Sequence, residues 1–141
     1  MTETGYDLLS RPPTVDEYLH LRAAAGLSAF SRDAAELGLK GTVASVLVRQ
    51  GDKIVGMGRL IGDGGCFFQI VDIAVEPAHQ GQDLGKAIMS GLTAYLEAEL
   101  PATAYVSLIA DVPASRLYAQ FGFRETAPVS LGMARRARRP G

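Results

Sequence analysis

The stretch His79–Met89, HQGQDLGKAIM, follows the run IVDIAVEP and holds two glycines around a turn, Gly81 and Gly85, with Lys86 next. A loop of this kind can hold phosphate, so its spacing decides what it could bind. A nucleoside-triphosphate loop needs four residues between its first glycine and Gly-Lys, then Ser or Thr. Here three residues separate Gly81 from Gly85-Lys86, and Ala87 follows. A dinucleotide fingerprint needs G-x-G-x-x-G, and the segment lacks it. What remains is a strand, a glycine turn and a helix N-terminus. Its backbone N–H groups can hold an anion, or it is a plain strand-to-helix turn.

Three further residues have chemical potential. Asp72 places a carboxylate in the middle of an apolar run, and buried acids are rare without a partner or a task. Two readings of it stand: a general base, or a structural ion pair with an arginine such as Arg59. Glu76 lies four residues on. Cys66 is the single cysteine. It adjoins a turn and has no helix N-terminus or basic neighbour to lower its pKa, so it is a poor nucleophile. No His, Asp or Glu spacing suggests a metal site.

The elements that must position these residues alternate along the chain. A strand near Tyr6–Leu9 precedes a helix capped by Thr14, with Glu17 completing a capping box and Gly26 ending it. A second helix runs from Ser31 to about Gly38. TVASVLVRQ (42–50) and KIVGMGRLI (53–61) are strands joined at Gly51-Asp52, and CFFQIVDIAV (66–75) extends the meander after the turn 62–65. A long helix over 82–99 carries Leu84, Ile88, Leu92 and Leu96 on one stripe. A strand over 103–110, a short helix over 113–120 and a final hairpin follow. The order predicts a mixed α/β domain with a parallel crossover at 66–110.

Composition excludes several classes. The 141 residues fit one domain, 48% apolar and 21% charged, with no apolar run of membrane-spanning length. The N-terminus lacks the pattern of a secretory signal, and a cytoplasmic setting is expected. Arginine outnumbers lysine eleven to three, a usage that suggests a GC-rich bacterial genome. Four of the 14 basic residues lie in the tail ARRARRPG, so the rest of the chain carries −5 against −1 for the whole. A basic terminal run is no basic face, so nucleic acid is not an expected partner. No membrane partner is expected either. A domain over 1–134 and a basic, flexible tail over 135–141 are expected, and a homodimer is allowed.

VDIAVEPAHQGQDLGKAIMSGL resembles the cofactor segment of the GNAT superfamily of N-acetyltransferases. There a strand ending in V-x-P leads to Q/R-x-x-G-x-G/A at the head of a long helix, and Gln80, Gly81, Gln82, Asp83, Leu84 and Gly85 stand at those six positions. DVPASRLYAQFGF is similar to the family's N-x-x-A-x-x-L-Y-x-x-x-G-F. Asp111 takes the place of the Asn, Ala114 of the Ala, Leu117-Tyr118 of the Leu-Tyr pair and Gly122-Phe123 of the Gly-Phe. VGMGRLIGDGG resembles the family's third-strand hairpin. The likeness covers about residues 42–126, and the first forty residues match by element order alone.

The resemblance implies a mostly antiparallel mixed sheet flanked by helices, with a splayed central strand pair that binds coenzyme A. It implies acetyl-CoA as co-substrate and no metal. Ile73, Ala74 and Val75 would pair with pantetheine through their backbone, and one of their N–H groups could polarise the thioester carbonyl. Gln80 through Lys86 would meet the pyrophosphate, with Asp111, Ser115 and Tyr118 as further cofactor contacts. Tyr118 matches the tyrosine that protonates the leaving thiolate. For the base, Asp72 stands first, Glu76 second and His79 third.

Two positions depart from the family pattern. Asp111 keeps an acceptor and loses a donor. Asp83 replaces a loop glycine; the expectation is that it donates its backbone N–H while its carboxylate stays in solvent. The implied reaction is direct acetyl transfer to a primary amine. The net acidic body and the acids Asp72 and Glu76 on the proposed active-site strand favour a protonated acceptor, a small cationic amine or a peptide lysine. The alternative is a non-catalytic acyl-CoA-binding module that senses or regulates.

Overall fold

The computed structural model of the chain describes residues 5–111 and 114–138. These form two compact units, one through Leu108 and one from Ile109.

In the first unit a five-stranded sheet has the order β1 (Tyr6–Leu9), β2 (Thr42–Gln50), β3 (Lys53–Gly62), β4 (Phe67–Val75), β5 (Tyr105–Leu108). Local chemistry explains its turns. Gly51, with φ 62°, opens the two-residue β2–β3 connection between the paired Gln50 and Lys53. A positive φ at the first central position is that of a type II′ hairpin, which matches the twist of the strands. The β3–β4 turn is tied by Asp63, whose Oδ1 accepts from the backbone N–H groups of Gly65, Cys66 and Phe67 at 2.8–3.1 Å. The first four strands pair antiparallel, and β4 with β5 pairs parallel across the crossover helix.

Helix α1 (Val15–Ala24) begins at Thr14 with the full capping box to Glu17, and α2 (Arg32–Leu39) begins at Ser31, whose side chain accepts from Ala34 N–H. The two helices cover one face of the sheet. Tyr18, Leu21 and Ala35 form a core there with Leu47, Met57 and Ala74. Helix α3 (Leu84–Glu99) covers the other face with Leu84, Ile88, Met89 and Leu92 buried. Its approach needs small residues on its own length and on the sheet. A Cβ on Gly91 would lie 2.8 Å from Val46, and one on Gly58 only 2.4 Å from Ile88.

Several expected boundaries move. A 3₁₀ turn over Pro77–His79 precedes α3, and the helix starts at Leu84 instead of Gln82 because Asp83 is left-handed, φ 59°. Strand β5 ends at Leu108, short of the expected 110.

The second unit holds α4 (Ser115–Ala119); Pro113, the expected first residue of this helix, and tail residues 139–141 lie outside the described residues. The expected final hairpin is not formed among the described residues. Thr126 and Ser130 close a turn on each other, through Ser130 N–H to Thr126 C=O and the Thr126 hydroxyl to Ser130 C=O. Pro128 sits inside that turn with no N–H to give a ladder. Val129, Leu131 and Met133 alternate as a strand face would, yet all three are exposed.

Candidate active site

The sheet parts between its last two strands. β4 and β5 pair from Phe67↔Tyr105 to Ile70↔Leu108, and there β5 ends while β4 runs on to Val75. Beyond Ile70 no strand among the described residues pairs with the far side of β4, while its near side stays on β3 through Ala74↔Met57 and Val75↔Gly56. An unpaired strand edge presents N–H and C=O groups at a fixed repeat, a template for another extended chain. Ile73 and Val75 are half-buried and Ala74 is buried, so these residues can meet a ligand mainly through backbone.

This edge leads into the glycine loop. Gly81 has φ 81° with open space where a Cβ would stand, and Asp83 has φ 59°. Left-handed backbone costs an ordinary residue about 1–2 kcal/mol, and Gly, Asn and Asp bear it best. That explains why Asp can occupy a position the sequence motif gives to glycine. Asp83 is exposed and its carboxylate makes no cap to the helix. Ala87 N–H is the first to enter the helical ladder, on Asp83 C=O. The N–H groups of Leu84, Gly85 and Lys86 therefore have no helical acceptor and face the N-terminal end of a 16-residue helix. Leu84 keeps its side chain in the core, so it too offers only backbone. Gln80 folds back on the strand, its side-chain amide donating to Val75 C=O at 3.2 Å. An extended edge followed by a cluster of free N–H groups fits a ligand with an amide-bearing arm and a phosphate head, as coenzyme A is.

The acidic candidates have partners. Asp72 has φ 62°, and its side chain is only 5% exposed. Its carboxylate accepts from the Tyr18 hydroxyl at 3.0 and 3.1 Å, from Arg59 Nε at 2.9 Å and from Arg22 Nη1. Arg22 in turn donates to Ser28 C=O and lies over the Phe30 ring. Arg59 Nη1 donates to Thr42 Oγ1 and to Gly38 C=O. Burial, then the neighbouring Asp72 charge, raise the Tyr18 hydroxyl above its ordinary value, so it stays a neutral donor. Of the two readings left open by the sequence, these contacts are those of the ion pair, with Arg22 and Tyr18 added.

Glu76 is buried at the end of β4. Its carboxylate bonds His20 Nε2 at 2.6 Å and Lys53 Nζ at 3.3 Å. Burial alone would raise this carboxyl, but the bonds to His20 and Lys53 outweigh it and hold it below the usual carboxylate value. His79 lies just before the glycine loop and shares a 2.9 Å hydrogen bond with Tyr6 through Nδ1. Tyr18, His20, Arg22 and Lys53 drew no notice in the sequence. A tyrosine and an arginine four residues apart share one helix face, which was the one available signal.

In the second unit Tyr118 is half-buried on α4, and Ala114 N–H bonds Asp111 C=O at its start. Burial first, then the Asp111 carboxylate, push the Tyr118 phenol above its ordinary value. Ser115 opens α4, half-buried.

A family model of the acetyltransferase (GNAT) domain matches residues 18–131 and so spans both units. A Staphylococcus aureus protein of unknown function, named as a probable acetyltransferase, is 45% identical; the match covers 93% of this chain and 98% of that one at a TM-score of 0.87. Glucosamine-6-phosphate N-acetyltransferase of Arabidopsis thaliana shares the fold at 14% identity and a TM-score of 0.67, covering 94% and 99% of the two chains. The ribosomal-protein-S18-alanine N-acetyltransferase of Escherichia coli shares it at 21% identity and 0.71, covering 86% and 79%. A search of proteins with curated functions returns no match. One fold thus serves a sugar phosphate in one neighbour and an alanine of a ribosomal protein in another, and the acceptor must be argued from side chains. The chain belongs to the GNAT family of acetyltransferases.

Proposed function

We propose that this acetyltransferase moves the acetyl group of acetyl-CoA directly onto a primary amine. The observation that carries the reading is the unpaired edge of β4 beyond Ile70, running into the free N–H groups of Leu84, Gly85 and Lys86. Backbone of Ile73–Val75 would pair with pantetheine, and the residues from Gln80 to Lys86 would hold the pyrophosphate. Tyr118 would give its proton to the departing thiolate. Its raised pKa supports that role, since the phenol stays protonated throughout the neutral range. Cys66 is exposed beside the tied turn, far from any helix N-terminus in sequence, so a covalent acyl-enzyme gains no support.

Asp72 and Glu76 entered as candidate bases; Asp72 already serves two arginines, and Glu76 is held by Lys53 and hydrogen-bonded to His20. We therefore read the amine as arriving neutral from solvent. About 0.1% of a free alkylamine is neutral at pH 7, a cost of about 4 kcal/mol. The same pairing removes the part of the expectation of a cationic acceptor that rested on these two acids, and leaves only the net acidity of the body. The experiment is thiol release from acetyl-CoA against a panel of amines, amino acids and peptides across pH 6–10. The reading expects release that depends on amine and rises tenfold per pH unit below the amine pKa. Acetyl-CoA binding without release by any amine would instead support the acyl-CoA-binding module.

A further inference from the structure

On the α1–α2 face, next to the point where β4 and β5 part, lies a groove of about 660 Å³. It falls in the size range of small-ligand sites. Its walls are Phe67 and Phe68 of β4, Ile61 of β3 and Tyr105 of β5, with Gln69 and Ser107 facing each other across the last rungs before the split. Phe67 and Tyr105 are 66% and 54% exposed and stand edge to face at 6.3 Å. Two large aromatic faces open to solvent at the first rung of the β4–β5 ladder, three rungs from where it ends, are what a flat or apolar ligand would cover.

The polar end of the groove is Arg59. Its side chain is 7% exposed, yet it lines the cavity. Nε is taken by Asp72 and Nη1 by Thr42 and Gly38, while no hydrogen bond among the described residues involves Nη2. Two guanidiniums, Arg22 and Arg59, meet a single carboxylate, so the buried network holds one positive charge in excess. Asp63 also lines the groove, but its Oδ1 is occupied by three backbone N–H groups of the β3–β4 turn. A guanidinium that is nearly buried, short of one acceptor and at the end of an apolar slot recognises an anionic oxygen.

We propose that this groove is the acceptor subsite and takes an amine that also bears a carboxylate or phosphoryl group, the anion on Arg59 Nη2 and an apolar body against Phe67 and Tyr105. The proposal rests on the acetyl-transfer reading above and deepens it. The groove adjoins the rung Ile70↔Leu108, past which the β4 edge is free for the thioester arm. An amine anchored at Arg59 would therefore be delivered to that edge.

Paired substrates test it. L-phenylalanine is compared with L-phenylalaninamide for the carboxylate, and O-phosphoethanolamine with ethanolamine for the phosphoryl group, by thiol release at one pH with corrections for amine pKa. At least one anionic member should exceed its neutral partner in kcat/KM by about tenfold, the worth of a single charge-assisted hydrogen bond. Arg59→Lys keeps a cation for Asp72 and removes Nη2, and should bring that ratio towards one with acetyl-CoA affinity unchanged. Phe67→Ala, at an exposed position, should raise KM for L-phenylalanine at unchanged melting temperature. Ligand-observed NMR with 3-phenylpropionate reads the groove without any transfer. Binding that Arg59→Lys weakens supports the subsite even if no amine is acetylated, in which case the transfer reading alone fails. Equal or higher kcat/KM for the neutral amines, or no binding of 3-phenylpropionate, overturns the proposal.

Discussion

Replacing Asp72 by Asn separates a structural carboxylate from a catalytic one. The change preserves size and shape, and Asn tolerates a left-handed backbone as well as Asp, so φ 62° adds no new strain. What changes is charge and donor count. In the native protein one carboxylate serves Tyr18, Arg22 and Arg59, and the three charged side chains are between 5% and 9% exposed. In the variant the amide oxygen can keep Arg22 and Tyr18. The amide nitrogen then faces Arg59 Nε–H, donor against donor, and two buried guanidiniums lose their counter-charge. Removing one member of a buried ion pair costs about 3–5 kcal/mol. The retained hydrogen bonds put Asp72→Asn near the lower end. For a chain of this length 1 kcal/mol moves the melting temperature by about 3–4 °C, so the expected fall is about 10 °C. Differential scanning calorimetry reads that fall, and turnover against pH, measured on the same preparation below its melting range, reads the chemistry. The profile should keep its wild-type shape. A melting temperature within about 2 °C of wild type, with turnover down about a hundredfold and recovered at higher pH, would refute the argument and make Asp72 the base.

Other perturbations test separate parts of the site. Tyr118→Phe should lower turnover by about 10²–10⁴ and leave acetyl-CoA affinity in isothermal titration nearly unchanged, as loss of a general acid does. Asp83→Gly removes a side chain from a left-handed position and a negative charge from the loop. Titration should find acetyl-CoA bound equally or more tightly, and weaker binding would show that the carboxylate contributes. Gly58→Ala would force a Cβ to within 2.4 Å of Ile88 and 2.6 Å of Ile73. Overpacking of that kind costs about 1–3 kcal/mol, readable as a fall in urea midpoint. The Glu76 carboxyl is lowered on folding, so its contribution is complete above the ordinary carboxylate value and is lost as pH falls through the folded one. Stability of Glu76→Gln below about pH 4.5 should accordingly vary less with pH than that of wild type.

Much of the fold was legible because its signals are local. Thr14 and Glu17, Ser31, Gly51 and the Leu84-Ile88-Leu92 stripe each act within a few residues, and each does what the sequence suggested. The glycine loop was legible as a strand, a turn and a helix start, but not in its geometry. The sequence leads to the expectation that the Asp83 carboxylate stays in solvent. Its exposure agrees, while the reason for a glycine there is the left-handed φ, which no residue type prints. The α1 partners of Asp72 and Glu76, which are Tyr18, Arg22 and His20, lie 50 to 56 residues away, beyond any spacing rule. The sequence predicts a final hairpin after the short helix; Val129, Leu131 and Met133 do alternate there, but alternation cannot supply the neighbouring strand that would make one.

The register of β4 explains how the acidic residue of an apolar run reaches its partners. Strict alternation would put Ile70, Asp72 and Ala74 on one face. Ile70 pairs with Leu60, and Ile73 lies beside Gly58 and Ile88 on the α3 side. An unbroken strand would therefore press the Asp72 carboxylate into the apolar stripe of α3, without a partner. Instead Asp72 and Ile73 together oppose Gly58, one residue more than on β3. Such a bulge shifts the alternation by one and adds local twist. With φ 62° at the extra residue, Asp72 turns to Arg22 and Arg59, Ala74 follows into the α1 core, and Ile73 keeps the α3 face. The bulge lies two residues past Ile70↔Leu108, where β4 loses β5 as a neighbour. Its ion network ties β4 to α1 and β3 at the stretch where the sheet itself no longer holds both sides. An edge with no strand on one side keeps its shape through contacts on the other, and the two arginines on Asp72 supply these beside the pairing with β3.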